Sequence, residues 1–161
     1  MKADQLVSTA EAFIRDILTD SGEVVSQVFI HARMKGEEGV VALPYAGPMP
    51  KQVMQELICR VINGCIQAGD FKGMCFIGEA WMASVPDDPI KAEVAKVLGA
   101  AKDPDRQEIV FAFVVGEDGE RGWTAHKLAR DAAGKPSLGE RLTMEGSQCW
   151  VEQAFPEGFL K

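Results

Sequence analysis

The sequence of 161 residues has neither a long hydrophobic run nor an excess of basic residues, and each absence excludes a class of protein. Its longest uninterrupted apolar run is Ile109 to Val115, far short of the ~20 residues that a membrane-spanning helix needs. It has 17 Lys and Arg against 24 Asp and Glu, which gives a formal net charge of −7. Nucleic-acid binding needs clustered Lys and Arg to neutralise phosphates. We therefore expect neither a membrane nor a nucleic acid as a partner.

Residues that bind metals, cofactors or nucleotides are also scarce. The only histidines are His31 and His126, and the four cysteines include no C-x-x-C pair. The phosphate-binding glycine motifs, the nucleophile elbow and the zinc-protease motif do not occur. We expect no metal and no cofactor. Since the sequence shows no signal peptide either, we expect a cytoplasmic protein whose cysteines are free thiols.

Hydrophobic periodicity predicts two long helices and one short one. Apolar residues recur at three- and four-residue steps over residues 3–20 and again from Lys51 to Ala68, with a glycine after each segment. Asp88-Pro89 is a favourable helix start, and it predicts a short helix that ends near Gly99.

Alternating apolar and polar residues predict strands in the rest of the chain. The segments are 24–34, 40–45, 72–85, 107–115 and 121–130, with one or two shorter strands between Leu138 and Phe155. Most neighbours are joined by short turns, which favours antiparallel hairpins. We therefore predict a single α+β domain over residues 1–161. It has a mostly antiparallel sheet of five to six strands, with two longer helices and one short helix packed on one face.

One sheet surface is predicted to collect chemically useful side chains. If the helices cover one face, the opposite face has aromatic residues, two imidazoles, a carboxylate and two guanidinium groups, namely Phe29, His31, Arg33, Glu79, Trp81, His126 and Arg130. Imidazoles and a partly buried glutamate are the usual acid–base groups, and arginines bind anions. A purely structural role also stays open, because Glu79 would then simply pair with Arg33 or Arg130.

The same face is too apolar to be left in water. Strand 107–115 is hydrophobic on both sides, and the predicted helices are too few to cover both. We therefore expect a homodimer that buries this face between two copies.

Short motifs between residues 76 and 131 resemble uncharacterised bacterial and phage-associated proteins of unknown function. The residues are Phe76 to Trp81, Asp103 to Glu108, Asp118-Gly119 and Leu128 to Asp131. This resemblance implies a bacterial or phage source and supplies no activity.

Two hypotheses about function follow. The first is a non-enzymatic cytoplasmic binding module that dimerises and binds a protein partner or a small anionic ligand through Phe29, Arg33, Trp81 and Arg130. The alternative is a small hydrolase-like enzyme in which Glu79 works with His31 or His126 as acid and base.

Overall fold

The computed structural model describes residues 1–45, 47–82, 90, 106–144 and 148–161. Within these residues the protein is α+β, with two helices, a six-stranded sheet and one 3-10 turn. In chain order the elements are α1 (Ala3–Asp20), β1 (Gln27–Met34), β2 (Glu37–Pro44), α2 (Lys51–Gln67), β3 (Phe71–Met82), β4 (Gln107–Gly116), β5 (Arg121–Arg130), β6 (Pro136–Arg141) and the 3-10 turn Trp150–Ala154.

The predicted fold class is confirmed. The strand order is β2-β1-β3-β4-β5-β6, and every neighbouring pair is antiparallel. Both long helices end where a glycine was expected to stop them, with Gly22 and Gly69 at φ 70° and 73°. The predicted short helix at 88–99 lies, except for residue 90, outside the described residues.

The two helices pack on opposite faces of the sheet, so the expectation that they share one face is wrong. α1 buries Leu6, Ile14 and Leu18 in one cluster with Ile77 and Val114. α2 instead buries Ile58 and Ile62 among Val28, Ile30, Phe76 and Phe113 on the other face, together with the 3-10 turn. The reason is that successive side chains of β4 point to opposite faces and are apolar on both, so each face needs its own cover.

In the region where the sequence predicted one or two shorter strands, the described residues contain one strand, β6, and the 3-10 turn Trp150–Ala154. Residues three apart lie on the same side of a 3-10 turn, which lets Val151 and Ala154 both be buried against α2 and the sheet.

The β1–β2 turn is also tighter than predicted. Lys35 and Gly36 both have positive φ, 53° and 86°, and Met34 pairs directly with Glu37. A two-residue turn of this kind matches the twist of the strands. β2 therefore begins at Glu37, three residues before the predicted start at Val40.

The C-terminal tail packs on the β4–β5 turn at Gly119, which has a φ of 84°. Lys161 N–H donates to the Gly119 carbonyl at 2.9 Å. A Cβ at this position would lie 1.9 Å from the Phe159 carbonyl oxygen. Only glycine allows this close approach of two backbones.

We predict that Gly119→Ala lowers the free energy of unfolding by about 2 kcal/mol more than Gly36→Ala does. Both positions have nearly the same positive φ, but a Cβ at Gly36 meets nothing within 4 Å. The pair therefore separates backbone strain from collision with the tail. Equal losses for the two variants in urea unfolding would show that the tail contributes nothing to stability.

Candidate functional site

An open groove lies on the α1 face of the sheet, beside the helix. α1 packs on β3, β4, β5 and β6. The same face of β1 and β2 extends past the helix, so side chains there border a gap between helix and hairpin. Those side chains include Phe29 and His31 of β1 and Val40 of β2.

The groove is apolar and has a volume of about 350 Å³. This lies within the ~300–1,000 Å³ typical of small-molecule sites. Phe13 of α1 and Phe29 form an edge-to-face pair with ring centroids 5.3 Å apart. The main lining residues are Leu6, Thr9, Ala10 and Phe13 of α1, Phe29 and His31 of β1, Val40 of β2, and Cys75 and Ile77 of β3.

His31 supplies a polar group to this apolar lining. Its Nε2 lies 3.3 Å from Oε2 of Glu38, which is across the β1–β2 pair. Its Nδ1 is buried and has no hydrogen-bond partner among the described residues. When Nε2 carries the proton and donates it to Glu38, Nδ1 keeps an unused lone pair.

Cys75 lines the groove as a small apolar residue. Burial raises the pKa of its thiol to about 12. The thiol therefore stays protonated at neutral pH, and the nucleophilic thiolate form is suppressed. This observation favours a binding role for the groove over covalent chemistry.

His126 lies beneath α1, in a network with Thr124 of its own strand and with residues of two other elements, α1 and β6. Its Nε2 is 3.2 Å from Oε1 of Glu11, and its Nδ1 is 3.2 Å from the Gly139 carbonyl oxygen. Thr124 donates its hydroxyl hydrogen to the same Glu11 oxygen, and Nη2 of Arg141 lies 3.7 Å from it. Because both ring nitrogens face acceptors, both hydrogen bonds form together only when both nitrogens carry a proton.

This network lowers the pKa of Glu11. The largest cause is the hydrogen bond from Thr124, and the His126 hydrogen bond and the charges of Arg141 and His126 add to it against the opposing effect of burial. A carboxylate so satisfied ties α1 to β5 and β6. The structure therefore gives His126 an architectural position between helix and sheet.

We predict that Glu11→Gln destabilises the protein by about 1–3 kcal/mol at pH 7 and by much less at pH 3. The folded pKa of Glu11 is lowered, so the unfolded chain takes up the proton first as the pH falls. The stabilisation is thus present above the ordinary pKa of 4.5 and is lost below it, as the pH falls through the folded pKa.

Chemical denaturation at both pH values measures this difference. Glu140→Gln is the control, because Glu140 is 69% exposed and pairs only with Lys127 among the described residues. Its effect should be small at either pH. An unchanged effect of Glu11→Gln between pH 7 and pH 3 would contradict the assigned network.

Glu79, Trp81 and Arg130 do not line the groove. Oε1 of Glu79 accepts a hydrogen bond from the Val24 N–H at 3.1 Å. Arg130 binds both carboxylate oxygens of Glu108, at 2.8 and 3.1 Å. The indole of Trp81 has the Arg106 guanidinium 4.6 Å above its ring centroid.

The structure does not bring the predicted acid–base residues together. His31 pairs with Gly73, and Glu79 is six residues further along β3, which corresponds to about 20 Å. His126 is in the same row as Glu79, but Val110 of β4 stands between them, about 10 Å across the two strand spacings. The hydrolase-like alternative therefore has no assembled site among these residues.

The predicted binding residues are also divided. Phe29 lines the groove and Trp81 does not. Arg33, on β1, is exposed and pairs across the hairpin with Glu38, whereas Arg130 is on β5, three strands away. The two guanidinium groups therefore cannot clamp one small anion.

The sequence analysis did not predict the residues that α1 contributes to the groove and to the network around His126. Phe13 belongs to the apolar stripe of α1 and yet is 40% exposed, because it overhangs the groove. Glu11 follows Val7 by four residues and precedes Ile14 by three, so helical spacing places it beside the apolar stripe. That spacing was the available signal for a carboxylate directed at the sheet.

Comparison with protein-family models, with curated proteins and with solved structures finds no match. In the part of the chain that the structure describes, no helix is long and apolar enough to span a bilayer. The same residues contain no cluster of three or more His, Cys, Asp or Glu side chains that could hold a metal ion.

Proposed function

We propose that this protein is a non-enzymatic binding module that takes a small apolar molecule into the groove between α1 and the β1–β2 hairpin. The observation that carries the proposal is the groove itself, an apolar concavity of about 350 Å³. Moving water from an apolar lining into bulk solvent lowers the free energy. An apolar ligand that displaces this water therefore binds favourably.

The character of the lining favours an uncharged ligand. The carboxylate of Glu38 pairs with His31 at the groove wall. The net charge of the chain is −7. Both features disfavour an anion, in contrast to the anionic ligand that the arginines suggested.

We still propose that the protein forms a homodimer. The expected reason, a sheet face that no helix covers, is wrong. The α1 face is covered by α1 over the central strands, so an uncovered sheet face no longer requires a second copy. A cytoplasmic location and a bacterial or phage source also stay predictions.

We predict that Thr9→Phe weakens binding of the neutral fluorescent probe N-phenyl-1-naphthylamine by about tenfold. A phenyl ring at Thr9 would occupy the groove and remove roughly 50 Å² of apolar contact, about 1.3 kcal/mol. Fluorescence titration of the folded protein with the probe measures the change.

Ser8→Phe is the matched control. Ser8 and Thr9 are both exposed on α1, and each hydroxyl donates to the carbonyl four residues earlier. Only Thr9 lines the groove. Ser8→Phe should bind the probe as the wild type does. The proposal fails if the wild type shows no saturable binding, or if Thr9→Phe binds as tightly as the wild type.

A further inference from the structure

Among the described residues, the sheet has two edge strands, β2 and β6, and they differ in how well they are protected against pairing. β6 begins with Pro136, ends in the charged Glu140 and Arg141, and pairs with β5 through an irregular register. Bulges, prolines and charges are the usual devices that protect a sheet edge. β2 has its charges and its proline only at its ends, at Glu37, Glu38 and Pro44. It pairs with β1 in continuous register over all eight residues, and its centre, Gly39–Val40–Val41–Ala42, has no charge.

The ladder determines which backbone groups of β2 point outward. Tyr45 N–H donates to the Ser26 carbonyl at 2.9 Å, in the same register as the β1–β2 pairs. Hydrogen-bonded pairs alternate along an antiparallel ladder. Residues 37, 39, 41 and 43 therefore bond to β1, whereas the N–H groups of Glu38, Val40 and Ala42 face away from the sheet.

We propose that two copies of this chain pair through β2, antiparallel, with the twofold axis at Val40. In this register Val40 of each copy exchanges both backbone hydrogen bonds with Val40 of the other. Glu38 of each copy exchanges them with Ala42 of the other. Each outward N–H thereby gains an acceptor, and Pro44, which has no N–H, lies beyond the ladder.

Charge placement supports a second copy as the occupant of this edge. In the proposed register Glu37 and Glu38 lie opposite Leu43 and Ala42, so no carboxylate faces another carboxylate. The Val40 side chain is 62% exposed, and pairing would bury it against its own counterpart at the axis. Since Val40 also lines the groove, the two grooves would lie side by side across the interface.

A charge-swap experiment tests this interface, which rests on the self-association part of the proposed function and not on the ligand. Val40→Glu and Val40→Lys each place like charges opposite each other at the axis. Each should raise the dimer dissociation constant at least about tenfold in sedimentation velocity. An equimolar mixture of the two variants should recover dimers, because every heterodimer then pairs Glu with Lys.

Val53→Glu and Val53→Lys are the controls, since Val53 is an exposed valine on α2, which packs on the opposite face of the sheet from Val40. They should leave the dissociation constant unchanged. If the Val40 variants dimerise as the wild type does, or if the mixture fails to recover dimers, the β2 interface is wrong while self-association stands. A wild type that stays monomeric at its highest soluble concentration overturns both, and the probe titration would still decide the groove.

Discussion

The central strand β4 is apolar on both faces, and the rest of the structure follows from the need to cover both. Phe113 and Val115 are fully buried under α2 and the C-terminal tail, and Val110, Ala112 and Val114 under α1. Removing apolar surface from water stabilises the folded state by about 25 cal/mol per Å². Leaving either face of β4 exposed would therefore cost much of the folding free energy. In the part of the chain that the structure describes, one helix covers each face.

Covering the centre from both sides leaves the margins less protected. A single helix is too narrow to cover six strands, and α1 lies over β3 to β6. The β1–β2 hairpin therefore extends beyond it, and the groove forms where the helix stops. The same hairpin supplies the groove wall at Val40 and the edge strand β2, whose centre has no charge. The proposed ligand site and the proposed copy-to-copy interface are thus two consequences of one helix placement.

The polar network around His126 has a different origin. A polar side chain at the boundary between a helix and a sheet needs hydrogen-bond partners, and Glu11 is such a residue. Thr124, His126 and Arg141 satisfy its carboxylate from β5 and β6. An unpaired carboxylate in that position would cost about 1–3 kcal/mol, so the network supports the docking of α1. His126 is therefore explained by architecture, and His31 is the histidine that faces the groove.

Local patterns along the chain determined the elements themselves. The period of 3.6 marked α1 and α2, the period of 2 marked most of the strands, and Gly22 and Gly69 ended the helices as expected. The apolar character of residues 107–115 on both sides correctly indicated a central strand. Of the predicted site residues, Phe29 and His31 line the groove, whereas Trp81, Glu79 and Arg130, which alternation assigned to the same face, do not. Alternation assigns a residue to a face and contains no information about strand order, register or the six-residue offset between Gly73 and Glu79.

Strand order and register depend on contacts between segments distant in the chain, as does the choice of which helix covers which face. Only the tertiary structure decided them, because burial energy is shared among all the segments that meet in the core and is not a property of any one of them.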